Sequence, residues 1–199
     1  APYEEFDGFL EQGLAELNID ATLEVRQQLL DYIMLLTKWT KVFNLTAVRE
    51  PKQMIIRHLF DSLSVLAYIR GDNILDVGTG AGIPGIILAI VDKDRHYTLL
   101  DSREKKTRFL RQAVAELSLK NVTVINQRVE AHKEEKGYSI IISRAFSDFN
   151  EFKQNTAHLL HPEGILLAMK GRHIEQDLAN LSEEDKNKIQ TVKIQVPFL

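Results

Sequence analysis

Apolar residues in the early part of the chain recur at three- and four-residue spacing: Phe6, Phe9, Leu10 and Leu14, then Leu23, Leu29, Leu30, Ile33 and Leu36. Such spacing lines one face of a 3.6-residue helix, so the stretch from Tyr3 to about Ile69 is predicted to form three amphipathic helices. Asn18 and Asp20 suit the first break, and Glu50-Pro51 sets a proline at the first turn of the third helix, where its missing N–H costs nothing. After Gly71-Asp72 the period changes. The short apolar runs Asn73 to Val77, His96 to Leu100, Val122 to Ile125, Tyr138 to Ile142 and Ile165 to Met169 alternate with helical stretches, and that alternation predicts a parallel sheet with helices on both faces. Val192, Ile194 and Val196 alternate strictly within Lys188 to Phe198. That tail, behind the polar stretch Ser182 to Lys188, is expected to add an antiparallel edge strand.

The pattern divides the chain into an N-terminal helical extension, 1–70, and an α/β core, 71–199. No repeat, low-complexity segment or long linker separates them, and 199 residues suffice for one sizeable core but are short for two, so one compact unit is expected. The 44% hydrophobic and 27% charged content is that of an ordinary globular protein, and no apolar run is long enough to span a bilayer. Residues 1–10 are acidic and lack a secretory signal's basic start and apolar run, which predicts a cytoplasmic location; a monomer with no membrane partner is expected. The absence of cysteine excludes disulfides, thiolate metal sites and cysteine nucleophiles. No metal site is expected.

Candidate chemistry concentrates in Asp76-Val77-Gly78-Thr79-Gly80-Ala81-Gly82-Ile83-Pro84-Gly85, a strand running through a glycine-rich turn into the helix Ile86 to Val91. Such a turn lets a ligand approach the backbone closely. Residues 80–85 fit G-x-G-x-x-G, which also describes a dinucleotide site, and a turn that binds nothing would read the same way. Two acids shift the balance. Asp101 closes the second strand, where a carboxylate can accept both ribose hydroxyls of an adenosine or cap the helix from Ser102 to Leu117. Asp76, before the first glycine, would repel a pyrophosphate but suits the ammonium of a methionine moiety; its structural alternative is a turn acid. Val129-Glu130-Ala131 follows the third strand, where the backbone of this architecture faces an adenine.

Together with Asn44-Leu45-Thr46-Ala47, Arg57-His58-Leu59-Phe60-Asp61-Ser62-Leu63, Leu100-Asp101-Ser102 and Ser143-Arg144-Ala145-Phe146, these residues resemble the glucose-inhibited division protein B family of small-subunit rRNA guanine-N7 methyltransferases, from about Lys38 to Pro197. The resemblance implies a class I S-adenosylmethionine-dependent methyltransferase of Rossmann-like fold. It implies 16S rRNA or the 30S subunit as partner, N7 of one guanine as acceptor, and donor contacts at Gly78, Ile83, Val129, Glu130 and Arg144. With the motif readings, the expected donor set is Asp76, Gly78, Gly80, Gly82, Ile83, Asp101, Ser102, Val129, Glu130 and Arg144. The family continues into a further strand after Pro197, whereas this chain ends at Leu199.

N7 of guanine carries a free lone pair, so no proton has to leave before attack and no catalytic residue is expected beyond positioning groups, with Arg144 a candidate. Positioning alone can supply roughly 7–11 kcal/mol where alignment is well enforced. The Ser143 to Phe146 segment lacks the Asn/Asp-Pro-Pro-aromatic pattern of exocyclic-amine methyltransferases, and pyrimidine C5 chemistry would need a cysteine. Arg144 could also pin the guanine O6, and Phe146 either stacks on a flipped base or, more in keeping with its type, packs in the core.

The net charge of -3 hides two basic bunches, Lys38, Lys41, Arg49, Lys52 and Arg57 around Glu50, and Arg103, Lys105, Lys106, Arg108 and Arg111 around Glu104. With the Asn44 to Ala47 loop and the end of the fifth strand extending this rim, Lys41, Asn44, Arg57, His58, Lys105, Lys170 and Arg172 are the expected RNA contacts, with His173 beside them. Arg108 and Arg111 read equally as solvated charge. His58 is read as a partly buried residue paired with Asp61, with no proton-transfer role. Two other readings remain. A nicotinamide-dependent (NAD) oxidoreductase would require a substrate domain the C-terminal remainder is too short to supply, and a non-catalytic ribosome-binding protein would leave Asp76, the glycines and Asp101 without a purpose.

Overall fold

The computed structural model describes residues 4–146, 148–171 and 174–199. Tyr3, Arg172 and His173, named above, lie outside them. The cap consists of α1 (Asp7–Glu16) and α2 (Leu23–Phe43), followed by a helical segment built from α3 (Pro51–Met54), a π-helical stretch (Ile55–Phe60) and α4 (Asp61–Leu63). The core contains β1 (Asn73–Val77), α5 (Gly85–Val91), β2 (His96–Asp101), α6 (Glu104–Glu116), β3 (Val122–Asn126), β4 (Tyr138–Ser143), α7 (Phe149–Thr156) and β5 (Leu160–Ala168). Two short helices, α8 (Glu175–Ala179) and α9 (Glu183–Lys188), follow.

All five strands are parallel, in the order β3-β2-β1-β4-β5. The chain grows outward from β1 through β2 to β3, then returns to the other side of β1 for β4 and β5. A crevice therefore opens at the carboxyl ends of the strands where the winding reverses. β1, β2 and β4 are buried almost throughout, as a sheet covered on both faces demands. One face carries Ile74, Leu99, Ile140 and Ile142 into a core shared with α5, α6 and the cap. The other carries Leu75, Val77, Leu100 and Ile141 against Phe152 of α7.

The cap packs by its apolar face. Leu10, Leu14, Leu29, Ile33 and Leu36 are buried, each worth about 1.5–3 kcal/mol against leaving it in water. Thr22 caps α2 by accepting the Val25 N–H at 3.2 Å. Asn44 ends it in the left-handed region, at φ 58°. The cap is tied to the core by Gln28, which donates to the Leu117 carbonyl at 2.9 Å, and by Tyr32, whose buried hydroxyl donates to the Ala81 carbonyl in the glycine turn at 2.7 Å.

The tail departs from expectation. Residues 189–196 form no strand, the sheet has no antiparallel edge among the described residues, and the polar stretch before the tail becomes α9, capped by Ser182. A two-residue alternation makes a strand only where an edge accepts it. Here Val196 packs, partly buried, against the core and the half-exposed Phe198 ring lies tilted against Phe9, with centroids 4.5 Å apart, so apolar contact with the cap replaces pairing. β5 also starts earlier than predicted, at Leu160. Pro162 lies in it, which an edge strand tolerates, and its register against β4 shifts between Tyr138 and Ile140.

Candidate functional site

At the carboxyl ends of β1, β2 and β3 lies a cleft of about 190 Å³, lined by Val77, Gly78, Leu100, Asp101, Ser102, Arg103, Gln127, Arg128, Val129 and Glu130. Of the expected donor set, Gly78, Asp101, Ser102, Val129 and Glu130 line it. Asp76, Gly80, Gly82, Ile83 and Arg144 surround or underlie it. Five lining residues, Val77, Leu100, Arg103, Gln127 and Arg128, were not in that set. Arg103 had a signal, a cation two positions after the ribose-type acid, while Gln127 and Arg128 merely follow a strand.

The turn is built by hydrogen bonds from its own backbone. Gly78 and Thr79 N–H groups donate to the Leu100 carbonyl at 2.8 and 3.1 Å, locking the turn to β2. Gly78 has φ 67°, and a Cβ there would stand 2.6 Å from that of Ala145, so the end of β4 lies directly against it.

Asp76 is fully buried beneath the turn. Its Oδ2 accepts the Thr79 hydroxyl at 2.7 Å and the Gly85 N–H at 2.8 Å, whereas Oδ1 has no hydrogen-bond partner. Burial pushes the carboxyl up to about 7, opposed by those two hydrogen bonds and by Arg144, and reinforced by Asp101. The carboxylate thus occupies the start of α5, where a dinucleotide fold would place its pyrophosphate. That weighs against the nicotinamide reading. Oδ2 thus serves the turn, as the turn-acid alternative expects, and Oδ1 is left without a hydrogen-bond partner.

Asp101 is saturated. Oδ1 accepts the backbone N–H of Arg103 at 2.9 Å and its Nε at 3.0 Å, and Oδ2 accepts the Gly80 N–H at 2.9 Å and Arg103 Nη2 at 3.1 Å. Burial pushes this carboxyl up, but the Arg103 and Gly80 hydrogen bonds and the Arg103 charge outweigh it and hold it below the usual range. A carboxylate offers about four acceptor positions. All are taken within the chain, two of them by a side chain that is 60% exposed and free to leave.

Arg144 closes β4 on the cap side of the turn and pairs with Asp61 across 3.6 Å. His58 does not pair with Asp61. It is buried, bonded through Nε2 to the Thr46 hydroxyl at 2.8 Å, with Nδ1 unpartnered. Burial foremost, then Arg144, lowers its pKa to about 4, so it is a neutral interior histidine and not an RNA contact. Phe146 stacks on Phe152 at 5.2 Å in the second core, which gives the packing reading.

The basic residues fall into two states. Lys106 donates to the Leu45 carbonyl at 2.9 Å, drawing the loop after α2 against α6 and setting the two basic bunches side by side. Lys41, Asn44, Arg57 and Lys105 are exposed there, although Asn44 also accepts from Arg49 and ends α2. Lys170 is already engaged, with Asp177 at 2.8 Å and the Phe146 carbonyl at 3.2 Å, which reduces its worth as a phosphate contact. Arg108 pairs with Glu104 on the α6 surface. Among the described residues no helix is long and apolar enough to cross a membrane.

A family model described as rRNA small subunit methyltransferase G matches residues 25–199. The chain is 44% identical over 180 residues to the ribosomal RNA small subunit methyltransferase G of Alteromonas mediterranea, covering 90% of this chain and 85% of that one. It is 49% identical over 176 residues to the protein of that name from Pseudomonas aeruginosa, covering 88% and 82%. Among solved structures, a Methanococcus maripaludis protein assigned to the S-adenosyl-L-methionine-dependent methyltransferases aligns with a TM-score of 0.51 at 16% identity, over 71% of this chain and 64% of that chain, a likeness of fold.

Proposed function

Because the chain belongs to the rRNA small subunit methyltransferase G family, we propose that it transfers a methyl group from S-adenosylmethionine to N7 of a guanine in 16S rRNA, acting as a cytoplasmic monomer on free rRNA or the 30S subunit. The observation that carries the donor assignment is the pair of acids. Asp101 lines the cleft, with two of its acceptor positions held only by the exposed Arg103 side chain, and Asp76 keeps one buried oxygen without a partner. A buried unpaired carboxylate oxygen is costly, and a cation delivered to it relieves that cost.

The residues present fit the donor. Asp101 would hold the ribose and the backbone at Val129 and Glu130 the adenine, with Ser102 on the cleft wall. Gly78, with Gly80, Gly82 and Ile83 shaping the turn, would let the methionine portion pass close to the backbone, while Asp76 Oδ1 and Arg144 meet its charged groups. When bound, the donor supplies an electrophilic methyl group on a sulfonium. The protein's own task is alignment. The acceptor nitrogen already carries its lone pair, so Arg144, Asp61 and the turn orient the base, and no side chain needs to remove a proton. Lys41, Arg49, Arg57 and Lys105 supply a basic rim that would neutralise phosphates, which makes binding salt-dependent.

Transfer of labelled methyl from S-adenosylmethionine to 30S subunits and to free 16S rRNA tests this, with the product nucleoside identified by mass spectrometry. Label in 7-methylguanosine is the expected result. Measurable donor binding without transfer to either substrate would overturn the acceptor assignment and keep the donor site.

A further inference from the structure

Two stretches singled out in the sequence take no part in the donor cleft, Asn44 to Ala47 and Arg57 to Leu63. The fold brings the second to the end of β4. Asp61 is the first residue of α4, and its carboxylate faces the Arg144 guanidinium at 3.6 Å, too long for a hydrogen bond. Both side chains are partly open, 28% and 37% exposed, and neither side chain makes a hydrogen bond or a second ion pair among the described residues, although the Arg144 charge also reaches Asp76 and His58. Burial raises the Asp61 pKa, and Arg144 only partly offsets it. The pair is thus a half-desolvated anion and cation, side by side, each with unused hydrogen-bonding capacity. It stands next to the methionine end of the donor site, because Ala145 abuts Gly78 and β4 pairs with β1 at Asp76.

We propose that Asp61 and Arg144 together read the acceptor base, with Arg144 donating to O6 and Asp61 accepting from N1–H and the 2-amino group, which makes Asp61 a specificity-determining residue of the reaction. This rests on the function proposed above. A donor beside an acceptor is the arrangement cytosine presents to guanine, and reading a flipped base by its Watson–Crick edge is general among enzymes that modify bases. N7 lies on the far side of O6 from N1, so a base held this way leaves N7 unobstructed. Adenine presents the reverse order, an amino group opposite Arg144 and a bare N1 lone pair opposite the carboxylate, and is repelled at both positions. The looseness of the ion pair is what such a reader requires, since a closed bidentate pair would have no capacity left.

The test compares wild-type enzyme with Asp61→Asn on an RNA fragment carrying either guanosine or inosine at the methylated position, inosine lacking only the 2-amino group. The wild type is expected to prefer guanosine by about 5- to 100-fold in kcat/KM. In Asp61→Asn, donor affinity should stay within about two-fold, kcat/KM on guanosine should fall by about 10- to 100-fold, and the guanosine preference should shrink toward unity. Asp61→Glu, which keeps the carboxylate, should retain part of the preference and guards against a variant that merely folds poorly. A variant with wild-type preference, or one that loses donor affinity instead, overturns the assignment. Absence of 7-methylguanosine with the wild type would overturn the underlying function as well, so the two failures are distinct.

Discussion

Arg103 and Asp101 show how a site can be occupied by its own chain. On the proposed donor site, ribose hydroxyls could bond to Asp101 only once Arg103 releases the two acceptor positions its side chain holds. The Arg103 side chain is mostly in solvent, which screens its pairing with the buried Asp101 to about 1 kcal/mol, so Arg103→Ala should tighten donor binding by about two- to five-fold in calorimetry. Weaker binding would mean instead that Arg103 orients the carboxylate for the ribose. Asp76 carries a pH signature. Its folded-state pKa of about 7 lies above the ordinary 3.8, so the protonated form favours folding, and that contribution is full below about pH 4 and fades as the pH rises through 7. The donor's ammonium takes the ionised form. Donor affinity should therefore strengthen from pH 6 to about 7.5, beyond which the α-amino group itself begins to lose its proton. Asp76→Asn should bind more weakly and without that slope.

Among the elements, the cap is set by close approach as much as by apolar burial. A Cβ at Gly13 of α1 would fall 2.0 to 2.5 Å from ring atoms of Phe60 in the π-helical stretch. Gly13→Ala should cost about 1–3 kcal/mol through overpacking, a drop of roughly 2–12 °C in Tm for a protein of this size. The parallel strands were legible to within a residue or two because a sheet buried on both faces writes itself as continuous apolar runs. β5 was cut short because Pro162 and Gly164 look like a turn, and the tail was misread because alternation cannot report whether a sheet edge will accept it. The same limit governs the site. The acids and glycines were readable from chain order, but Arg103 on Asp101, His58 on Thr46 and Asp61 opposite Arg144 are facts of packing. The π-helical turn between α3 and α4 in particular breaks the three-to-four spacing by which His58 and Asp61 would have been paired.

For the molecule as a whole, the cap is tied to the glycine turn. Tyr32 reaches from α2 to the Ala81 carbonyl inside the glycine turn, and Tyr32→Phe would leave that buried carbonyl unpaired at a cost of about 1–3 kcal/mol. A melt should show the loss, and donor affinity should fall with it; a lower Tm with unchanged donor affinity would confine Tyr32 to stability. The shared core has a consequence for synthesis. The cap leaves the ribosome before any strand does, yet its apolar face, from Leu10 to Leu36, is completed only by α5, α6 and Phe198. The part of the chain made first is therefore finished last, and until then its greasy side is open to whatever else the cell offers.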